Sequence, residues 1–170
     1  MKQIKILTGL VSLLFVPGLL RAQPAQHGSH SHGAALASIA IEGKKGKLTL
    51  ETPASAIYGF EREAKSKADQ MRKDRGLKKL QENIAQIFAF AESAKCELKL
   101  EVYEVQQQKS HADVHSEFSF ECAEPLKGTE LTVSIQKQFP KIKKLQVQVI
   151  MDDVQKSQEI VKDGEKIGLQ

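Results

Sequence analysis

The sequence predicts an α+β domain: a mainly antiparallel sheet, one long or two shorter helices between the second and third strands, and one disulfide across a hairpin. Three observations lead there. Stretches that alternate apolar and polar residues stand on both sides of one helix-forming segment. That segment, "AKSKADQMRKDRGLKKLQENIAQIFAF", repeats apolar residues at helical spacing. The only two cysteines, Cys96 and Cys122, fall in two alternating stretches that can pair. Strands gathered apart from a helix along the chain give the α+β class.

The first residues stand outside that domain. "MKQIK" is a short basic region, "ILTGLVSLLFVPGLL" is an apolar run broken by Pro17 and Gly18, and Ala22 offers a small residue for cleavage. Residues 1–22 therefore read as a secretory signal peptide; the alternative is an uncleaved N-terminal anchor. The run is too short and too interrupted for a confident membrane span. No cysteine follows it, which leaves no lipid attachment point at a mature N-terminus. The mature chain, with no further stretch able to span a bilayer, is expected to be soluble and periplasmic. Without Lys2, Lys5 and Arg21 the formal charge drops from +4 to +1. There is no basic stripe with interleaved aromatics, no Trp and only two Tyr, so nucleic acid is not an expected partner.

Residues 23–33 are polar, with Pro24 and two glycines, and are expected to be a flexible, histidine-containing segment. Residues 34–170 form the single expected domain, a usual size for one core. "ALASIAIEG" reads as a strand carrying Leu36, Ile39 and Ile41. "EGKKG" is a turn, and "KLTLETP" sets Leu48 and Leu50 against Lys47, Thr49 and Glu51, completing a hairpin that Pro53 stops. "ASAIYGFERE" is a connector. In the helical segment, Leu77, Leu80, Ile84, Ile87 and Ala91 keep helical spacing, while Gly76 weakens the middle enough to allow two helices. The half before Gly76 has only Ala64, Ala68 and Met71 to bury and is expected to be exposed. Beyond the cysteines, "ELTVSI" and "LQVQVI" alternate, "QKQFPKIKK" looks like a helical turn, and "SQEIV" reads as a last short strand.

"CELKLEVYEV" places Leu98, Leu100 and Val102 on one face, and "HSEFSFEC" does the same with Phe118 and Phe120. If Cys96 faces Cys122, Leu98 faces Phe120 and Leu100 faces Phe118, so every apolar residue shares the cysteines' face. A slip of one residue would separate them. Cross-strand partners approach closely enough for a disulfide, and an exported chain favours one; free thiols or a metal site using both sulfurs are the competing readings. The same register puts residues from about 104 to 114 at the hairpin tip, with His111 on an exposed loop and His115 just after it.

All five histidines lie in two windows: His27, His30 and His32 in "QHGSHSHG", and His111 and His115 in "KSHADVH". Neither window is on an apolar face, so packing does not explain them. Solvated linker residues remain the plain alternative. In extended backbone, residues two apart project to one side about 6.6 Å apart. His30 and His32 can therefore converge on one ion, with His27 joining from the flexible side. Zinc prefers four ligands. Three imidazoles leave one position for His111, His115, Asp113, Glu117 or water. Imidazole also suits copper or nickel, so ligand type alone does not choose the metal.

Across its mature length the chain resembles the ZrgA-like family of periplasmic proteins associated with zinc uptake, over about residues 27 to 161. The resemblance rests on "HGSHSHGAALASIAIEG", "LETPASAIYGFE", "CELKLEVYEV" and "HSEFSFECAEPLKGTELTVSIQKQFPKIKKLQVQVI", in that order, with the two cysteines. It implies zinc binding and a zinc transporter component of the envelope as partner. Family members usually carry a long His/Asp tract between the cysteine-bearing strands. Here that tract shrinks to "KSHADVH", which points to one modest site rather than a reservoir. The expected function is thus periplasmic zinc binding in support of acquisition or delivery. The alternative is a non-catalytic structural or interaction module with incidental histidines. No enzyme is expected: no nucleophile is paired with a base, and no G-x-S-x-G, H-E-x-x-H or phosphate-binding glycine loop occurs.

Overall fold

The computed structural model describes residues 33–170; His27, His30 and His32 and the leader-type residues lie outside the described residues. Strands β1 (Ala34–Glu42) and β2 (Lys45–Pro53) form the expected first hairpin. Gly43, at the first turn position, has φ +59°, a conformation a side-chain-bearing residue rarely takes. The faces differ from expectation in one respect. Ala35, Ala37, Ile39 and Ile41 are buried, and Leu36 points the other way. Leu36 and Ile39 are an odd number of residues apart, so a strand sends them to opposite faces.

The connector after Pro53 holds a one-turn helix, α1 (Ala54–Ile57), which buries Ala54 and Ile57. Helix α2 (Lys67–Ile87) is single and continuous. It starts where the Ser66 side chain accepts from the Asp69 N–H, an N-cap bond. Leu77, Leu80, Ile84 and Ile87 are buried, each contributing about 1.5–3 kcal/mol over exposure. The half before Gly76 is mostly exposed, with Asp69 the buried exception. Gly76 does not divide the helix. A Cβ there would stand 2.7 Å from the Ile57 carbonyl oxygen and 2.8 Å from the Tyr58 Cβ. The residue is small because α2 crosses the end of α1 at that point. The helix also stops short of Ala91: Phe88–Phe90 form a short strand, β3.

Strands β4 (Cys96–Gln107) and β5 (Ala112–Cys122) pair as the alternation requires, with Cys96 opposite Cys122, Leu98 opposite Phe120 and Leu100 opposite Phe118. The cysteines are bonded to each other. Past Leu100 the register shifts by one at a bulge, and Val102 faces Glu117. Val102 is consequently exposed (43 %) rather than inward as its spacing predicts. The strands run further than expected, leaving only residues 108–111 at the tip.

Strands β6 (Thr129–Val133), β7 (Lys144–Met151), β8 (Val154–Ile160) and β9 (Glu165–Leu169) complete the chain. A six-stranded sheet runs β4-β5-β2-β1-β7-β8, and a three-stranded one runs β3-β6-β9. All pairs are antiparallel except β1 with β7. One face of the large sheet, α2 and the small sheet enclose a single core that includes Phe88, Phe118 and Phe139.

Two outcomes follow from this packing. Gly76→Ala should destabilise the protein by about 1–3 kcal/mol in urea melts, because the added methyl must displace backbone, although helix propensity alone predicts a gain of about 1 kcal/mol; a stabilised variant would refute the close-approach account. Thiol titration under denaturing, non-reducing conditions should find no free thiol, and reduction should lower stability by about 3–4 kcal/mol on the chain-entropy model.

Candidate metal-binding site

At one end of the large sheet the structure gathers four pieces of chain: the close of β2 with α1, the segment 58–66, the tip of the β4–β5 hairpin, and the entry to β1. Pro53 pairs with Asp113. His111 closes the tip, with its carbonyl accepting from the Gln108 N–H at 2.7 Å. The His111 Nδ1 lies 2.8 Å from Glu61 Oε2. A carboxylate can only accept, so Nδ1 carries the proton of this bond. The other carboxylate oxygen, Oε1, accepts from the Ser55 hydroxyl at 2.6 Å. Gln107 binds the two segments: its Nε2 donates to the carbonyl oxygens of Glu61, Gln108 and His111 at 2.8, 3.0 and 3.1 Å. The His111 side chain is 56 % exposed and that of Glu61 only 14 %. The carboxylate is thus the base of the arrangement and the imidazole its outer end.

The neighbouring residues fix this segment. Tyr58 meets Phe60 edge-on at 4.8 Å, and the Arg62 guanidinium lies 5.0 Å over the Phe60 ring. Arg62 then forks onto Asp69, donating at 2.7 and 2.8 Å. Burial raises the Tyr58 phenol, and the Glu61 and Asp113 carboxylates push it further the same way. Both carboxylates therefore act on one phenol.

His115 does not share the corner. It sits within β5 rather than on a loop, on the strand face opposite buried Val114 and Ser116. Its Nε2 is 3.1 Å from Glu117 Oε1, and its Nδ1 is 3.5 Å from Glu51 Oε1. Glu104 is its cross-strand partner. The second histidine window is thereby split between two sets of carboxylates. The two histidines part because β5 begins at Ala112, between them, three residues earlier than the stretch "HSEFSFEC" suggests. Of the other residues named from sequence, Asp113 stands at the corner and Glu117 stands with His115.

His27, His30 and His32 fall outside the described residues, but the place from which they depart is defined. Gly33 accepts from the N–H groups of Lys143 and Lys144 at 2.7 and 3.1 Å. Leu36 pairs with Glu51, and two further steps of that register bring Ala34 level with Pro53, whose other neighbour is Asp113. Two strand spacings, about 10 Å, separate the chain entry from Asp113.

Imidazole nitrogen and carboxylate oxygen are ordinary ligands of zinc. Sulfur is not available, since both cysteines are consumed. Among the described residues no three His, Cys, Asp or Glu side chains are grouped as a metal shell. A full shell therefore needs donors from outside 33–170 or from solvent. Sequence reasoning missed Glu61. It lies fifty residues from His111, in a connector whose spacing carries no metal signature.

Fold and site together define a disulfide-stapled α+β domain with imidazole and carboxylate donors collected at one end of its main sheet. Residues 29–169 match the family model of the ZrgA family zinc uptake protein, and the chain belongs to that family. It is a zinc-uptake-related protein; the match favours zinc and gives no support to copper or nickel. No curated protein matches the sequence. Among the described residues no helix is long and apolar enough to cross a membrane.

The anchor of segment 58–66 has a pH signature. Arg62 holds the Asp69 carboxyl down at about 2, from 3.8, chiefly through the hydrogen bond, with the Ser66 hydroxyl assisting. A depressed carboxyl stabilises the fold above its unfolded pKa, and that share is lost as pH falls through the folded one. The stability gap between the parent and Asp69→Asn should stay level from pH 7 to about 4.5 and close as pH approaches about 2. Urea midpoints across that range measure it, and a gap that widens on acidification would contradict the assignment.

Proposed function

We propose that this protein is a non-enzymatic, periplasmic zinc-binding protein that supports zinc acquisition by carrying zinc to or from a transporter component of the cell envelope. One observation carries the reading. The chain enters β1 at the same end of the sheet where His111, Glu61 and Asp113 are collected. An extended chain covers at most about 3.6 Å per residue. His30, three residues before Gly33, can thus reach about 10 Å, the distance to the Asp113 strand. On this reading His27, His30 and His32, which lie outside the described residues, join His111 as the imidazole donors. The family match and the leader-like residues 1–22 agree with export and zinc traffic.

Binding rather than catalysis also fits the order of groups at the corner. A serine, a glutamate and a histidine stand in series, as in a hydrolase triad, but the glutamate is in the middle. The Ser55 hydroxyl donates to the Glu61 carboxylate, so among the described residues its partner is not the imidazole base of a hydrolase triad. His115 stands apart from that corner, with a carboxylate beside each ring nitrogen.

Zinc titration of the metal-stripped protein by calorimetry tests the reading. The parent should bind zinc in a defined stoichiometry; a value near zero would favour an envelope module with incidental histidines. Replacing His27, His30 and His32 together by Ala should abolish tight binding. His111→Ala should weaken it, and His115→Ala should change it less. Equal losses from the triple variant and His111→Ala would mean one shared shell, whereas tight binding that survives the triple change would defeat the assignment.

A further inference from the structure

The contact between Glu61 and His111 has a directional consequence. Imidazole has two nitrogens, and the hydrogen bond made by one decides which is left to bind a metal. At His111 the Nδ1 proton goes to Glu61 Oε2, so the lone pair that can take a metal is on Nε2. We infer that Glu61, seated by Ser55, is a positioning residue that sets His111 in its Nδ1–H tautomer and aims Nε2 outward as the zinc-binding nitrogen. This deepens the reading above and rests on His111 being a zinc ligand.

The arrangement around Glu61 suits such a role. Both its carboxylate oxygens are engaged, Oε1 by Ser55 and Oε2 by His111. Ser55 belongs to α1, whose Ala54 and Ile57 are buried in the core. The Glu61 carbonyl oxygen is held by Gln107, and the next residue, Arg62, is anchored on Asp69. The carboxylate is therefore set by the fold before any metal arrives, a support that metal-binding histidines commonly receive from a carboxylate behind them.

The test uses the purified, metal-stripped protein with zinc as the probe. Nitrogen chemical shifts of the His111 ring, recorded without metal, should report the Nδ1–H tautomer in the parent and a shift toward Nε2–H in Glu61→Ala. Zinc affinity should fall about 10–100-fold in Glu61→Ala, the usual loss for a supporting partner. Glu61→Gln keeps the shape and an acceptor oxygen and should fall between the parent and Glu61→Ala; it serves as the decisive variant if Glu61→Ala unfolds. Ser55→Ala should give a smaller loss in the same direction. In a His111→Ala background the Glu61 change should cost nothing more, because its effect passes through His111. Three results would overturn the inference: an unchanged tautomer, parent-like affinity in both Glu61 variants while His111→Ala weakens binding, or a full Glu61 loss that persists without His111. If His111→Ala binds zinc as tightly as the parent, the ligand assignment itself fails and this role falls with it.

Discussion

Strand β5 governs the molecule. It lies between β2 and β4, and its even-numbered residues from Ala112 to Cys122 are all buried. With a side-chain period of two, that choice leaves no freedom for the odd-numbered ones. Asp113, His115 and Glu117 must face away from the core. The disulfide locks one end of the β4–β5 pair, and the tip with His111 forms the other. Between them, the bulge after Leu100 shifts β4 by one residue, turning Val102 and Glu104 to the outer face. The surface carboxylates and the candidate ligands are thus placed by the demands of the core.

The corner at His111 depends on a second kind of constraint. Segment 58–66 has little regular structure, yet it is fixed by the Arg62 fork, the Tyr58–Phe60 contact and the Gln107 amide. A forked guanidinium–carboxylate pair is stronger and more directional than an ordinary exposed ion pair. Most other ion pairs of the described residues, such as Lys45 with Glu121 or Lys166 with Glu130, join well-exposed side chains and contribute little to stability. Order is concentrated around His111, on a rim where its side chain remains open to solvent.

The sequence by itself determined the parts that repeat locally. Alternation and the two cysteines specified the β4–β5 register from Cys96 to Leu100, because any slip separates the apolar residues from the sulfurs. Helical spacing specified the buried stripe of α2 from Leu77 to Ile87. The histidine windows were visible as composition. What the tertiary structure alone decided were contacts between segments far apart in the chain. Gly76 reads as a helix breaker until Ile57 is seen against it. β3 is too short to show a period, and β1 pairs in parallel with β7 more than a hundred residues away. Glu61 becomes a partner of His111 only when two loops meet, and His115 parts from His111 because a strand starts between them. Periodicity records which face of an element is buried, but it holds no record of which element lies opposite; that follows from packing the whole core at once.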